Sequence, residues 1–282
     1  MNRLLLLIPL LALVGCDQLS TSTPAGRSVS STTTPVVGGE SRTTDAADPP
    51  KADPKDPPGR PAEVEEKKED PPEEAPPIPD TYKPLNKGKT IFFEKAADGT
   101  RKVHLMSAVC LREGILEVFL TKLNTKEHES ILHIDADARE IHFALVAAGA
   151  EAGSPAKFVP EYKPATGTKV KVSVTYREKG KVKTAPAGDW VKDKRTNKAL
   201  AHDWVFAGSR FFIDPDGKNP DYYLANNGEL LSLSNFPDSM LDLPIKSSKD
   251  AADLMFEADT AKIPPLRTPV IVTLEPEVAK KK

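Results

Sequence analysis

The sequence predicts an α+β domain, mainly antiparallel β-sheet with one clear short helix, preceded by a long disordered tether. Three observations predict it. The first is a break in composition along the 282 residues: 1–15 are nearly all apolar, 17–84 are rich in Pro, Ser, Thr, Glu, Asp and Lys, and both tryptophans, Trp190 and Trp204, lie beyond Leu85. The second is alternation of apolar and polar residues in short runs beyond Leu85, the mark of strands with one buried face. The third is a single change to helical period, between Asp137 and Gly149. The chain therefore divides into a leader (1–15), a tether (16–84), one globular domain (85–278) and a basic tail (279–282). Only the third part carries enough apolar side chains to bury a core, and its length suits one domain.

Residues 16–84 have too little apolar surface to offset the entropy of ordering them. The Ser/Thr tract 20–34 and the Pro, Glu, Asp and Lys mixture of 49–79 fit a spacer, stiffened by polyproline II. Such a tether reaches from about 45 Å as a coil to about 100 Å for its Pro-rich half extended. A tract that itself binds cell wall or a partner is the alternative.

Within the domain, Thr90–Phe93 reads as a strand, Asp98-Gly99 as a turn and Lys102–Val109 as its hairpin partner. Leu116–Thr121 and Ser130–Ile134 read as two more strands. Asp137 is the expected helix N-cap, with Glu140 three positions on; Ile141, Leu145 and Ala148 share one face, and Gly149 ends the helix. Val170, Val172, Val174 and Tyr176 alternate strictly along a strand from Lys169, and Glu178–Lys181 turns it. Asp203–Ile213 is a further strand region. Asn227-Gly228, between Tyr222–Leu224 and Leu230–Leu233, predicts a tight hairpin. Val270–Leu274 is the last strand. No tandem repeat is visible.

Net charge is -2, and no basic stripe precedes the tail Lys280-Lys281-Lys282, so nucleic acid is not an expected partner. Met1-Asn2-Arg3 leads into an apolar run from Leu4 to Val14, too short to span a bilayer as a helix, which needs about 20 residues. It has signal-peptide proportions. The run closes in Leu13-Val14-Gly15-Cys16, which resembles the bacterial lipobox. That resemblance implies cleavage before Cys16, diacylglycerol on its thiol, and an extracytoplasmic protein held to a membrane of the cell envelope. Two or more acyl chains anchor firmly where one does not.

Two longer stretches carry a second resemblance. The first is Val109-Cys110-Leu111-Arg112-Glu113-Gly114-Ile115-Leu116-Glu117, continuing through Lys126-Glu127-His128-Glu129-Ser130 to Ala144-Leu145 and Gly149. The second runs from Trp204-Val205-Phe206-Ala207-Gly208-Ser209 to Leu224-Ala225-Asn226-Asn227-Gly228. Together they resemble the YdjY-domain family of bacterial lipoproteins, over roughly residues 88–245. The resemblance implies a fold type and a location but little biochemistry. Some relatives carry a ferredoxin-like label, yet an iron–sulfur cluster needs about four cysteine ligands. Cys110 is the one cysteine in the domain, since the chain's other cysteine is Cys16.

The residues that could carry chemistry are Glu113, Glu117, Lys126, His128 and Glu129. His128 and Glu129, with His133 and His142 nearby, are chemically able to ligate metal. On a strand, however, neighbouring side chains point to opposite faces, and a solvated edge or hydrogen-bonded cluster is the plainer reading. Glu113 and Glu117 beside Lys126 could do acid–base work or simply pair as ions. Cys110 is a small buried hydrophobe or a reactive thiol. Asp214-Pro215-Asp216-Gly217-Lys218-Asn219 lacks the spacing of a calcium loop and reads as a turn. No hydrolase, zincin, P-loop or dinucleotide motif is present. The expected function is thus a non-catalytic binding or scaffolding module with no cofactor, which meets an envelope protein or the cell wall. The alternative is a metal-binding or redox accessory protein built on Lys126–Glu129.

The lipobox generates one test. The Cys16→Ser chain should move from the membrane to the soluble fraction and lose incorporation of labelled fatty acid. Unchanged membrane retention without label would rule lipid out as the anchor.

Overall fold

The computed structural model describes residues 70–247 and 255–278. The expected leader 1–15, Cys16, most of the tether and the tail 279–282 lie outside the described residues. The principal elements are β1 (Ile91–Lys95), β2 (Arg101–Val109), β3 (Val118–Lys122), β4 (Ser130–Ile134), α1 (Ala138–Ala147), β5 (Lys169–Glu178), β6 (Lys181–Pro186), β7 (Trp204–Phe206), β8 (Leu231–Ser232), β9 (Leu241–Asp242) and β10 (Pro269–Pro276).

The sheet runs β2–β10–β5–β7–β9–β8–β3–β4, and β4 pairs back onto β2, so eight strands close into a barrel. The expected antiparallel sheet holds in outline, with two corrections. The sheet closes on itself, and the pairs β3–β4 and β8–β9 run parallel. Closure removes the unpaired edges that an open sheet leaves. The two longest strands each share one edge between two partners. β2 meets β1 along Arg101–Leu105 and β4 only at Ala108 and Val109. β5 meets β6 along Ser173–Glu178 and β7 only at Lys169 and Val170.

Alternation decides which faces are buried. Val170, Val172, Val174 and Tyr176 are buried while Lys169 and Lys171 face water. Trp190 and Trp204 flank Phe119, with ring centroids 6.4 and 5.8 Å away. The Trp204 indole N–H donates to the Ser232 carbonyl at 2.8 Å, which satisfies its polar atom inside the core. A second, four-stranded antiparallel sheet (Lys198–Ala199, Val191–Asp193, Phe256–Ala258, Ile115–Leu116) adds Val191, Phe256 and Leu116 to the same core.

Helix α1 forms as its sequence requires. The Asp137 carboxylate accepts from the Arg139 N–H at 2.8 Å, Ile141, Ala144 and Leu145 are buried, and the chain leaves through Gly149 at φ +96°.

Three expectations are corrected. Asn227-Gly228 makes no hairpin: Leu224–Asn227 is a 3₁₀ turn, Tyr222–Tyr223 pairs with Phe211–Phe212, and Leu231 pairs with Leu120. Gly228 is needed for close approach instead, since a Cβ there would lie 2.7 Å from the hydroxyls of Thr121 and Thr125. Asp203–Ile213 is not one strand but two, bent at Gly208 (φ +90°) and Ser209 (φ +52°). Residues 70–84, assigned by composition to the tether, lie across the sheet. The Glu73 carboxylate accepts from the Lys179 N–H at 2.6 Å, and Arg177 donates to the Ala75 carbonyl at 3.1 Å. Tyr82 stacks on His104 at 3.7 Å, and Lys83–Pro84 pairs with Phe92 and Phe93. His104 itself bridges strands, with Nδ1 2.9 Å from the Thr273 hydroxyl and Nε2 3.2 Å from Glu94. Burial pushes its pKa down to about 4, against the pull of Glu94.

One carboxyl sits wholly inside. Asp242 in β9 accepts from Asn235 Nδ2 at 3.0 Å and from the Leu243 N–H at 2.8 Å, but its second oxygen has no well-placed donor. Burial pushes its pKa up to about 7, against about 3.9 in an unfolded chain. Between those values the folded state holds the proton that the unfolded state gives up, so stability falls as pH rises from about 4 to about 7. At about 1.4 kcal/mol per pKa unit this amounts to a few kcal/mol. His104, with its lowered pKa, works in the opposite sense across the same range, so the test is the difference: denaturant midpoints of the wild type should fall relative to those of Asp242→Asn as pH rises from about 4 to about 7. Identical slopes in the two proteins would show that another group titrates.

Candidate functional site

Strands β3 and β4 are parallel neighbours, yet residues 123–129 alone connect them. Parallel pairs ordinarily need a crossover of about a dozen residues or more. The short connection turns at Asn124, which takes a positive φ of 62°, and closes in the 3₁₀ turn Glu127–Glu129. Thr125 caps it by donating to the Lys122 carbonyl at 2.5 Å. The candidate run Lys126-Glu127-His128-Glu129 is therefore this crossover, not a strand edge.

The turn gathers carboxylates around Lys126. Its ammonium lies 2.8 Å from Glu129, 3.7 Å from Glu117 and 3.5 Å from Glu229, with the Phe236 ring centroid 4.4 Å away. Burial opposes the Lys126 charge, but the bond to Glu129 and the fields of the three carboxylates outweigh it, so its pKa is raised. Lys126 is thus a fixed cation and not a nucleophile. Burial raises the Glu229 pKa, and Lys126 only partly reverses this; its second oxygen, Oε2, is buried without a hydrogen-bond partner. The arrangement is an ion-pair latch that holds the crossover against the 224–229 loop.

Of the five candidate residues the structure brings together Glu117, Lys126 and Glu129. His128 points into solvent, its side chain 76% exposed and 3.7 Å from Glu129. Glu113 is exposed on the turn before Gly114 and is not among the carboxylates that pair with Lys126. Glu229 is the member that sequence reasoning missed, because nothing local links it to Lys126. His133 pairs with Glu127. The Cys110 thiol donates to the Ser130 carbonyl at 3.0 Å, and burial pushes its pKa up to about 12. It is a neutral, inert thiol at ordinary pH. Among the described residues no three His, Cys, Asp or Glu side chains converge as metal ligands.

A second surface lies on the solvent side of α1. His142, Phe143 and Arg139 face a two-stranded ribbon in which Phe211 opposes Tyr223 and Phe212 opposes Tyr222. Together Arg139, His142, Phe143, Phe211 and Tyr223 line a cleft of about 60 Å³. The Tyr223 hydroxyl donates to the Gly208 carbonyl at 2.7 Å and accepts from His142 Nδ1 at 2.8 Å, which fixes the imidazole tautomer. Burial lowers the His142 pKa, keeping the ring neutral. Gly208 must be glycine here, since a Cβ would lie 2.7 Å from that of Ala152. Two of the lining rings also face water, Phe143 at 66% exposed and Phe211 at 49%, while Phe212, Ile213 and Tyr222 of the ribbon are exposed as well, Phe212 and Tyr222 on the face turned from the cleft. The consecutive run Phe211-Phe212-Ile213 was the available signal, because it breaks strand alternation just before a polar loop.

A family model described as the YdjY domain matches residues 97–275. No curated protein and no solved structure matches the chain.

The latch makes a stability prediction. Lys126→Met leaves three carboxylates facing one another and should cost about 1–3 kcal/mol in urea unfolding, whereas His128→Ala should change stability by less than about 0.5 kcal/mol. Adding Glu229→Gln to Lys126→Met should recover part of the loss. Additive losses in the double variant would show that the two side chains do not interact.

Proposed function

Because this chain belongs to the YdjY-domain family, which brings a fold without a reaction, we propose that it is a lipid-anchored cell-envelope protein whose barrel domain is a non-catalytic binding module. The observation that carries this reading is the exposed aromatic surface around the α1 cleft. Exposed apolar rings gathered at one place, as Phe143 and Phe211 are at this cleft, favour an interaction site over scattered single residues. The lipobox-like Cys16 and the Pro-rich residues that follow supply an anchor and a spacer. The anchored partner is the membrane itself, through lipid; the bound partner is an envelope protein or the cell wall.

The polar residues support a structural role. Lys126 ties the carboxylates of Glu117, Glu129 and Glu229 together around a turn. Cys110 is held as a neutral thiol by burial, which argues against a redox role for it. A metal accessory role would need ligands beyond those that meet around Lys126–Glu129.

Capture from envelope extracts separates the readings. The full chain, compared with a control ending at residue 69, should enrich a saturable partner. Full chain and control giving the same captured set would remove the binding-module reading. Stoichiometric transition metal in the purified chain, lost in His128→Ala, would reinstate the accessory role.

A further inference from the structure

Resting on the reading of this domain as a binding module, we propose that the cleft between α1 and the 211–223 ribbon receives one apolar anchor side chain of a partner protein segment, flanked there by lysine or arginine. The size of the cleft sets the first half of this. At about 60 Å³ it offers the space of about two waters, far below the several hundred Å³ of a cofactor or metabolite pocket. It admits the end of a single side chain. Its walls are three aromatic rings, a neutral imidazole and Arg139, whose guanidinium is already engaged with Asp137 at 2.6 Å. Such a wall favours an apolar guest, and central aromatic pockets of this type hold the anchors of protein interfaces.

Charge sets the second half. The loop joining the ribbon strands, Ile213 to Asp221, carries Asp214, Asp216 and Asp221 against Lys218 alone, so three negative charges meet one positive. The Asp214 carboxylate stays ionised because the backbone N–H groups of Asp216 and Asn219 hold its pKa down. A cationic flank is thereby attracted and an acidic one rejected. The same loop disfavours the two other occupants of an aromatic patch. An anionic bilayer surface repels it, and a second copy would bring an identical acidic loop against it.

The probe is a random peptide library displayed on phage, panned against the full chain, with the enriched peptide then synthesised and titrated. Enrichment of an apolar or aromatic residue flanked by Lys or Arg is expected. Phe143→Ser with Phe211→Ser should weaken the peptide at least about tenfold. Asp216→Asn with Asp221→Asn should weaken it several-fold, as should raising salt toward 1 M, where the Debye length is about 3 Å. Both pairs are exposed, and the emission of buried Trp190 and Trp204 reports whether the fold is kept. Acidic or uncharged consensus peptides, binding indifferent to both pairs, or no enrichment at all would overturn the proposal. So would Phe143- and Phe211-dependent binding to vesicles of phosphatidylethanolamine and phosphatidylglycerol without peptide binding. If the Phe143→Ser, Phe211→Ser chain still captures its envelope partner, the module reading stands and this surface is the wrong one.

Discussion

Strand β4 has to satisfy two neighbours at once, and the fold depends on that. Leu132 pairs with Leu120 of β3 on one side and with Val109 of β2 on the other; His133 pairs likewise with Thr121 and Ala108. These few residues turn an open sheet into a barrel. The Ile131 carbonyl then receives the N–H groups of Cys110 and Leu111 at 2.9 and 3.3 Å, which extends the seam beyond the strands. β4 reaches this position through a crossover far shorter than parallel pairing ordinarily allows. The ion pairs of Lys126 hold that connection against the 224–229 loop, which gives the charged cluster a structural role.

The seam also orders what lies outside it. α1 follows β4 directly, and Asn226 fastens its start: its side-chain oxygen accepts from the Ala138 N–H at 2.9 Å and its amide donates to Asp137 at 3.2 Å. Gly228 and Glu229 of the same loop press on the crossover. The two stretches that resemble the family in sequence thus form one packed unit. The aromatic cleft sits on its outer side, so a closed barrel gives the exposed rings a rigid base.

Local patterns were legible in the sequence; partners were not. The alternation of Val170 to Tyr176 and the cap, face and stop of α1 were readable because backbone period and local hydrogen bonds decide them. Barrel closure depends on which strands meet, and periodicity carries no such information. Asn227-Gly228 misled because its glycine serves close packing on Thr121 and Thr125, not a type I′ turn. Residues 70–84 look like spacer by composition, yet Pro76 is buried and Tyr82 covers His104. In the polar cluster, Glu117, Lys126 and Glu129 were readable from proximity in the chain. Glu229 and the cleft were not, since distant segments build both.

The strap 70–84 gives the domain a defined point of mechanical attachment. Any pull arriving through the residues before it meets Glu73 at the tip of the β5–β6 turn and Ala75 against Arg177. It then meets the Tyr82–His104 stack and the Lys83–Pro84 pairing. These contacts lie in series across the sheet, so a load strips them one after another before it reaches β1. The strap works as strain relief does on a cable: it spreads an incoming load over several contacts before the strands behind it take it.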